Sequence, residues 1–220
     1  MIALYYRLRQ FRFLQVFTIY LRYLIGGAFV VPSIVKIAGE RFTTLPTDTA
    51  VGYFFEAMYQ TGMYWQFLGL SQLLAAFLLM TQRFATMGAL LFFGIILNIF
   101  LITVSVNFGS GTPVITFLLL LATLYLIMWD LPKILLLFRR EKDINMDWSE
   151  QKFSFMEHYW WSILGFILFV FSLIFTIAEG RKSIIIWFLT CVGIGLAGLI
   201  GFLIVERKNK RRGIQKSVDF

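Results

Sequence analysis

Charge is what this sequence most conspicuously lacks. Only 15% of its 220 residues are Asp, Glu, Lys or Arg, and from Phe84 through Trp129 there is no charged residue and no histidine. Soluble domains carry about 25% charged residues, so a chain that is 59% hydrophobic cannot clothe a large soluble core. The membrane class remains. Cysteine is nearly absent too. Cys191 stands alone within an apolar run, which excludes an internal disulfide and thiol–disulfide exchange within the chain. His158 is the single histidine, so a bis-His haem or a histidine-rich metal site cannot be built from one chain. Of four prolines, only Pro32 falls inside an apolar span, where its missing N–H is expected to kink a helix.

Basic residues are the exception to this scarcity, with a net charge of +8. They sit beside apolar runs, where membrane topology and anionic headgroups account for them, so no nucleic-acid partner is expected. Arg7, Arg9 and Arg12 precede an apolar run with no small-residue cleavage site after it. That run is too long for a signal peptide, and the segment is read as retained.

Six apolar stretches are long enough to cross a bilayer: 14–37, 64–81, 84–106, 114–129, 159–178 and 184–205. The expected fold is an all-α polytopic membrane protein, a four-helix bundle followed by a helical hairpin. The expected units are 1–131 (four-helix unit), 132–157 (hydrophilic connector), 158–206 (hairpin) and 207–220 (basic tail). Alternate loops hold all but five of the 20 Lys and Arg residues, the five being Arg22, Lys36, Arg41, Arg181 and Lys182. By the positive-inside rule both termini are expected in the cytoplasm.

The first span carries the polar pattern. At 100° per residue, Arg22, Gly26, Phe29, Ser33, Lys36 and Glu40 share one stripe. Arg22 and Lys36 are about 21 Å apart along a helix, so one compact site cannot use both. In the second span Trp65, Gly69, Gln72 and Ala76 share a face. Gly94, Asn98 and Ser105 share one in the third, and Thr116, Thr123 and Asp130 recur every seven residues in the fourth. Residues 38–61 form a polar, aromatic-rich connector with a short amphipathic helix expected at 49–59. The candidate ligand-binding residues are Arg22, Lys36, Trp65, Gln72, Asn98 and Asp130. Their structural alternative is snorkelling of the charges and amide bonding between helices. Arg22 and Asp130 lie at the same end and within pairing reach. The Lys36 end, beneath the aromatic connector, is the expected pocket.

Gly193, Gly195 and Gly198 match the dinucleotide pattern G-x-G-x-x-G, but no strand precedes them and apolar residues surround them. Helix packing through Gly193, Ala197 and Gly201, four residues apart, is expected instead. The tail from Arg207 to Arg212 is read as a topology and headgroup anchor.

Residues from Arg22 to Asp130 resemble the DoxX-like membrane proteins. The resemblance rests on Arg22, Gly26, Gly27, Phe29, Pro32 and Lys36 in the first span. It continues through Gly69, Gln72, Leu73, Leu74 and Ala76, then Leu78, Leu79, Arg83, Gly88 and Ala89. Gln72 stands where the family pattern has a glutamate and carries no charge. The resemblance implies a four-helix unit in the bacterial cytoplasmic (inner) membrane. One family branch supplies the membrane subunit of a thiosulfate:quinone oxidoreductase, which implies quinone in the bundle and a partner bearing the redox centre. With no catalytic, metal or cofactor constellation in the residues, the expected role is a non-catalytic or accessory subunit of a membrane complex, in contact with lipid and with other membrane or redox subunits. A quinone-interacting oxidoreductase subunit and a small-solute transporter are the alternatives. No inverted repeat relates the halves, which disfavours the last.

Overall fold

The computed structural model describes residues 2–109, 111–137, 155–156, 158–179 and 183–218. Nine helices follow one another among them, with no strand: α1 (Ile2–Gln10), α2 (Arg12–Ile37), α3 (Ala50–Gln60), α4 (Met63–Met80), α5 (Ala85–Ser105), α6 (Thr112–Trp129), α7 (Leu131–Leu137), α8 (Tyr159–Glu179) and α9 (Ile184–Val218). Six of these, α2, α4, α5, α6, α8 and α9, are long and apolar enough to span a membrane. The all-α polytopic fold therefore holds. Most of the connector expected at 132–157, with Arg139, Arg140 and Lys152, lies outside the described residues, as do Arg181 and Lys182.

α2 and α4 form an antiparallel central pair. Glycine is needed where their backbones approach. A Cβ on Gly69 would lie 2.8 Å from Lys36 Cβ and from the Ser33 carbonyl oxygen, and one on Gly26 would meet Met80 and the Ala76 carbonyl. On one side of this pair α5 and α6 close a core of Ile25, Phe29, Ala75, Leu79, Phe92 and Ile96. On the other side α8 and α9 close a second core of Ile19, Tyr23, Val30, Met80, Trp161 and Phe202. The hairpin is thus docked against the central pair. Tyr20 Oη donates to the Gly195 carbonyl at 2.6 Å, and Tyr23 Oη donates to the carbonyl of Trp161. Gly165 of α8 lies against the Met80 carbonyl so closely that a Cβ would come within 1.7 Å.

One detail adds to the expectation and one differs from it. The N-terminal basic segment is itself a helix, α1, broken from α2 at Phe11, whose backbone is extended. In α9 the expected stripe of Gly193, Ala197 and Gly201 meets the packing seam at Gly201 but not at Gly193 or Ala197. A Cβ built on Gly193 would meet nothing within 4 Å, and Ala197 is exposed. The close approaches fall at Gly195 against Tyr20, Gly198 against Leu164 and Gly201 against Trp160. Bulk on the partner helices selects the seam, and a four-residue spacing alone does not.

Arg12 at the start of α2 makes a bidentate pair with Glu206 of α9 (2.7 and 3.1 Å), so the two ends lie on the same side of the bundle.

Candidate functional site

The polar stripe of α2 is buried along its length: Arg22, Gly26, Phe29, Ser33 and Lys36 all face protein, while Glu40 lies beyond the helix and is exposed. Charges in a membrane helix are tolerated when they face such an interior. The two ends of the stripe hold different constellations.

At the Arg22 end, Nη2 donates to Asp130 Oδ2 at 2.7 Å and Nη1 to Gln82 Oε1 at 2.8 Å. Both partners of the ion pair are buried, at 4% and 2% exposure. Thr86 Oγ1 also donates to Asp130 Oδ2 (3.0 Å), and Lys133 Nζ lies 3.7 Å from Oδ1. Gln82 sits in the tight turn after α4 with φ +61°, a left-handed conformation unfavourable for a residue with a Cβ. Its amide is held at both ends, accepting from Arg22 and donating to the Ile19 carbonyl (3.3 Å). Arg9 of α1 packs on the faces of Tyr5 and Trp129, 5.5 and 5.6 Å from the ring centroids. Everything here ties α1, α2, α4, α5 and α6 together, and the carboxylate's oxygens are both engaged. This end is a brace.

The Lys36 end is a cavity of about 290 Å³. Its floor comes from α2 and α4, its far wall from Ile99, Ile102, Thr103 and Thr116 of α5 and α6, and its roof from Phe42 and from Phe54, Phe55 and Met58 of α3. α3 forms as the amphipathic pattern of the connector requires. Thr49 caps it, its Oγ1 accepting from the Gly52 amide at 3.0 Å. The roof is an aromatic cluster: Phe55 lies 5.1 Å from Phe42 and 6.0 Å from Phe108, ring centroid to centroid.

Three polar features break the apolar lining. Lys36 Nζ donates to the Pro32 carbonyl (3.1 Å) and lies 4.7 and 5.2 Å from the ring centroids of Phe42 and Trp65. Such cation–π contacts contribute about 2 kcal/mol when desolvated. Thr103 and Thr116 share a hydroxyl–hydroxyl bond at 3.0 Å, and whichever of them accepts it donates its own proton to a carbonyl of its helix, Phe100 for Thr103 or Thr112 for Thr116. Gln72, 1% exposed, has no hydrogen-bond partner for its Oε1. A buried acceptor left unmade costs about 1–3 kcal/mol, and a binding site is one setting in which such a cost persists. Trp65 lines the cavity as a fully buried side chain, its Nε1 donating to the Glu40 carbonyl at 3.0 Å.

The six candidate residues thus divide. Lys36, Trp65 and Gln72 line one cavity. Arg22 and Asp130 pair at the opposite end of α2. Asn98 belongs to neither: it is exposed on the outside of α5, its Nδ2 turned back to the Gly94 carbonyl at 2.8 Å. The expectation that Asn98 faces the interior is corrected, because Phe92 and Ile96 occupy the inward face of α5. Thr103, Phe108 and Gln82 were not singled out beforehand. Phe108 lies in the Gly- and Asn-rich turn after α5, whose proximity to the connector no local pattern encodes. Among the described residues no three metal-ligating side chains converge.

The chain is 33% identical over 112 residues to the uncharacterised protein YwoB of Bacillus subtilis (strain 168). That alignment covers 51% of this chain and 66% of the relative, just under two thirds of its length. No family model and no solved structure matches the chain.

Proposed function

We propose that the protein is a DoxX-like, non-catalytic subunit or accessory protein of a complex in the bacterial cytoplasmic membrane, and that its cavity beside Lys36 holds a lipid-soluble ring compound of the quinone class. The observation that carries the reading is the unpartnered Gln72 Oε1 in an aromatic-walled cavity that also holds an ammonium group. An apolar cavity of roughly 150 Å³ accepts benzene, so about 290 Å³ accommodates a substituted ring. Aromatic walls suit the ring faces. Lys36 Nζ is a donor for a ring carbonyl, and the Gln72 amide oxygen is an acceptor for a ring hydroxyl. Such a ligand supplies two-electron redox capacity to a partner subunit through its own quinone–quinol couple. The bacterial relative supports the bacterial membrane, and the charge count supports cytoplasmic termini, with the Lys36 cavity on the opposite side.

Thermal unfolding of the protein in lipid nanodiscs under argon with 2,3-dimethyl-1,4-naphthoquinol, whose ring hydroxyl can donate to Gln72 Oε1, tests this. Saturating probe should raise the midpoint in the native protein and leave Gln72→Leu and Lys36→Met unmoved. An unchanged native midpoint at saturation refutes the quinone reading.

A further inference from the structure

The roof of the cavity is built differently from its floor and walls. Floor and walls are spanning helices locked by backbone close approach. The roof is one short helix, α3, of which only Val51 and Gly52 are buried. Its inner face presents Phe54, Phe55 and Met58 to the cavity. Its outer face carries Glu56, which accepts two bonds from Arg41, Nε at 2.8 Å and Nη2 at 3.0 Å, and a third from Gln60 Nε2 at 2.9 Å. Arg41 also packs on the Tyr59 ring, 4.5 Å from its centroid.

Arg41 belongs to the fixed part of the molecule. The Gly39 and Glu40 amides bond the Lys36 and Val35 carbonyls, and Trp65 Nε1 bonds the Glu40 carbonyl. The Arg41–Glu56 pair therefore bridges α3 and the body. At its C-terminal end α3 joins α4 through Gly62, which has φ +57° and nothing within 4 Å of where a Cβ would stand. At its other end the chain from residue 41 to 49 has neither helix nor strand. A rigid element between a glycine joint of positive φ and a loop, packed inward through Phe55 and bridged to the body across its middle by an exposed ion pair, is the construction of a hinged cover.

We propose that α3 is a lid that swings about Gly62 to open the cavity to the aqueous phase, with Arg41–Glu56 as its latch. The proposal rests on the ligand reading above only for what the lid admits; the lid motion itself is measured without ligand. Exchange through the lid then takes place from the aqueous side.

Thr103 lies beneath the lid, 3% exposed, and serves as a reporter position as Thr103→Cys in a Cys191→Ser background, with Ile99→Cys as a second position. Labelling by a charged methanethiosulfonate in nanodiscs reads the open population. An exposed ion pair is weak, so Glu56→Gln and Arg41→Gln should each raise the labelling rate about threefold to fivefold. The native Cys191, remote from the lid, should keep its rate in the same latch variants. Unchanged rates at both reporter positions overturn the lid, and so does an equal rise at Cys191, which would mean general loosening. Adding the same 2,3-dimethyl-1,4-naphthoquinol, which does not alkylate the reporter thiols, separates the two readings. Latch-dependent labelling without protection by the probe supports the lid and sinks the quinone reading. Protection without latch dependence supports the ligand and sinks the lid.

Discussion

The Arg22–Asp130 pair gives the sharpest test of the energetics, because the two charges are not equally well supported. Asp130 has three neighbours besides backbone: Arg22 at 2.7 Å, Thr86 at 3.0 Å and the half-exposed Lys133 at 3.7 Å. Arg22 has the neutral Gln82 as its other side-chain partner and feels the like charge of Arg9. Removing one member of a buried pair costs about 3–5 kcal/mol, because the survivor is left uncompensated, whereas replacing both with apolar residues is close to neutral. Asp130→Leu strands the arginine and should fall at the upper end, about 4–5 kcal/mol. Arg22→Met leaves Asp130 with Thr86 and Lys133 and should cost about 2–3 kcal/mol, below the usual range for a stranded buried charge. The double variant should recover most of the loss, to within about 1–2 kcal/mol of the native protein. A double-mutant cycle by reversible denaturant unfolding in mixed micelles measures all three. Equal single costs, a larger cost for Arg22→Met, or additive losses in the double variant would refute the asymmetric brace.

Gln72→Leu removes the unmade Oε1 at nearly constant volume and should stabilise the ligand-free protein by about 1–3 kcal/mol, read as a higher unfolding midpoint; a destabilised variant would show that the amide is structurally satisfied. Gly165→Ala drives a Cβ to within 1.7 Å of the Met80 carbonyl, so α8 must shift away from α4, at about 3 kcal/mol or more; a native-like midpoint would mean the two helices are not in backbone contact. The latch also predicts a pH response. Hydrogen bonds from Arg41 and then Gln60 hold the Glu56 carboxylate down at about 2, from an ordinary 4.5. A depressed carboxylate stabilises at full strength above pH 4.5 and loses that contribution as pH falls towards 2. Intrinsic-rate-corrected amide exchange in α3 should therefore accelerate from pH 5 to pH 3 in the native protein and stay level in Glu56→Gln, where Arg41 and Gln60 face no titrating group at that position. Acceleration to the same degree in both proteins would assign it to another carboxylate.

The sequence by itself determined the solvent and the count of spans. Hydropathy is local and additive, and a chain without charge from Phe84 through Trp129 has few alternatives to crossing lipid. It also determined which faces of α2, α4 and α6 turn inward, since polar or small residues mark them: Ser33 and Lys36, Gly69 and Gln72, and Thr116, Thr123 and Asp130 are all buried. The 14-residue interval between Arg22 and Lys36 separated two polar ends before any contact was known, and the aromatic connector marked the covered one. Only the tertiary structure decided the rotation of α5 and α9. Both are apolar all round, so period carries almost no signal, and backbone approach settles the outcome. Asn98 turned outward with its amide satisfied by its own helix, and Gly193 and Ala197 were left on the outside. Tertiary structure alone also brought Gln82 to Arg22, Thr103 and Phe108 to Lys36, and α8 against α4 at Gly165. Each joins residues brought together by the packing of different helices, and at Gly165 it is a missing Cβ that lets two backbones meet, a steric fact that resides in pairs of helices and in neither helix alone.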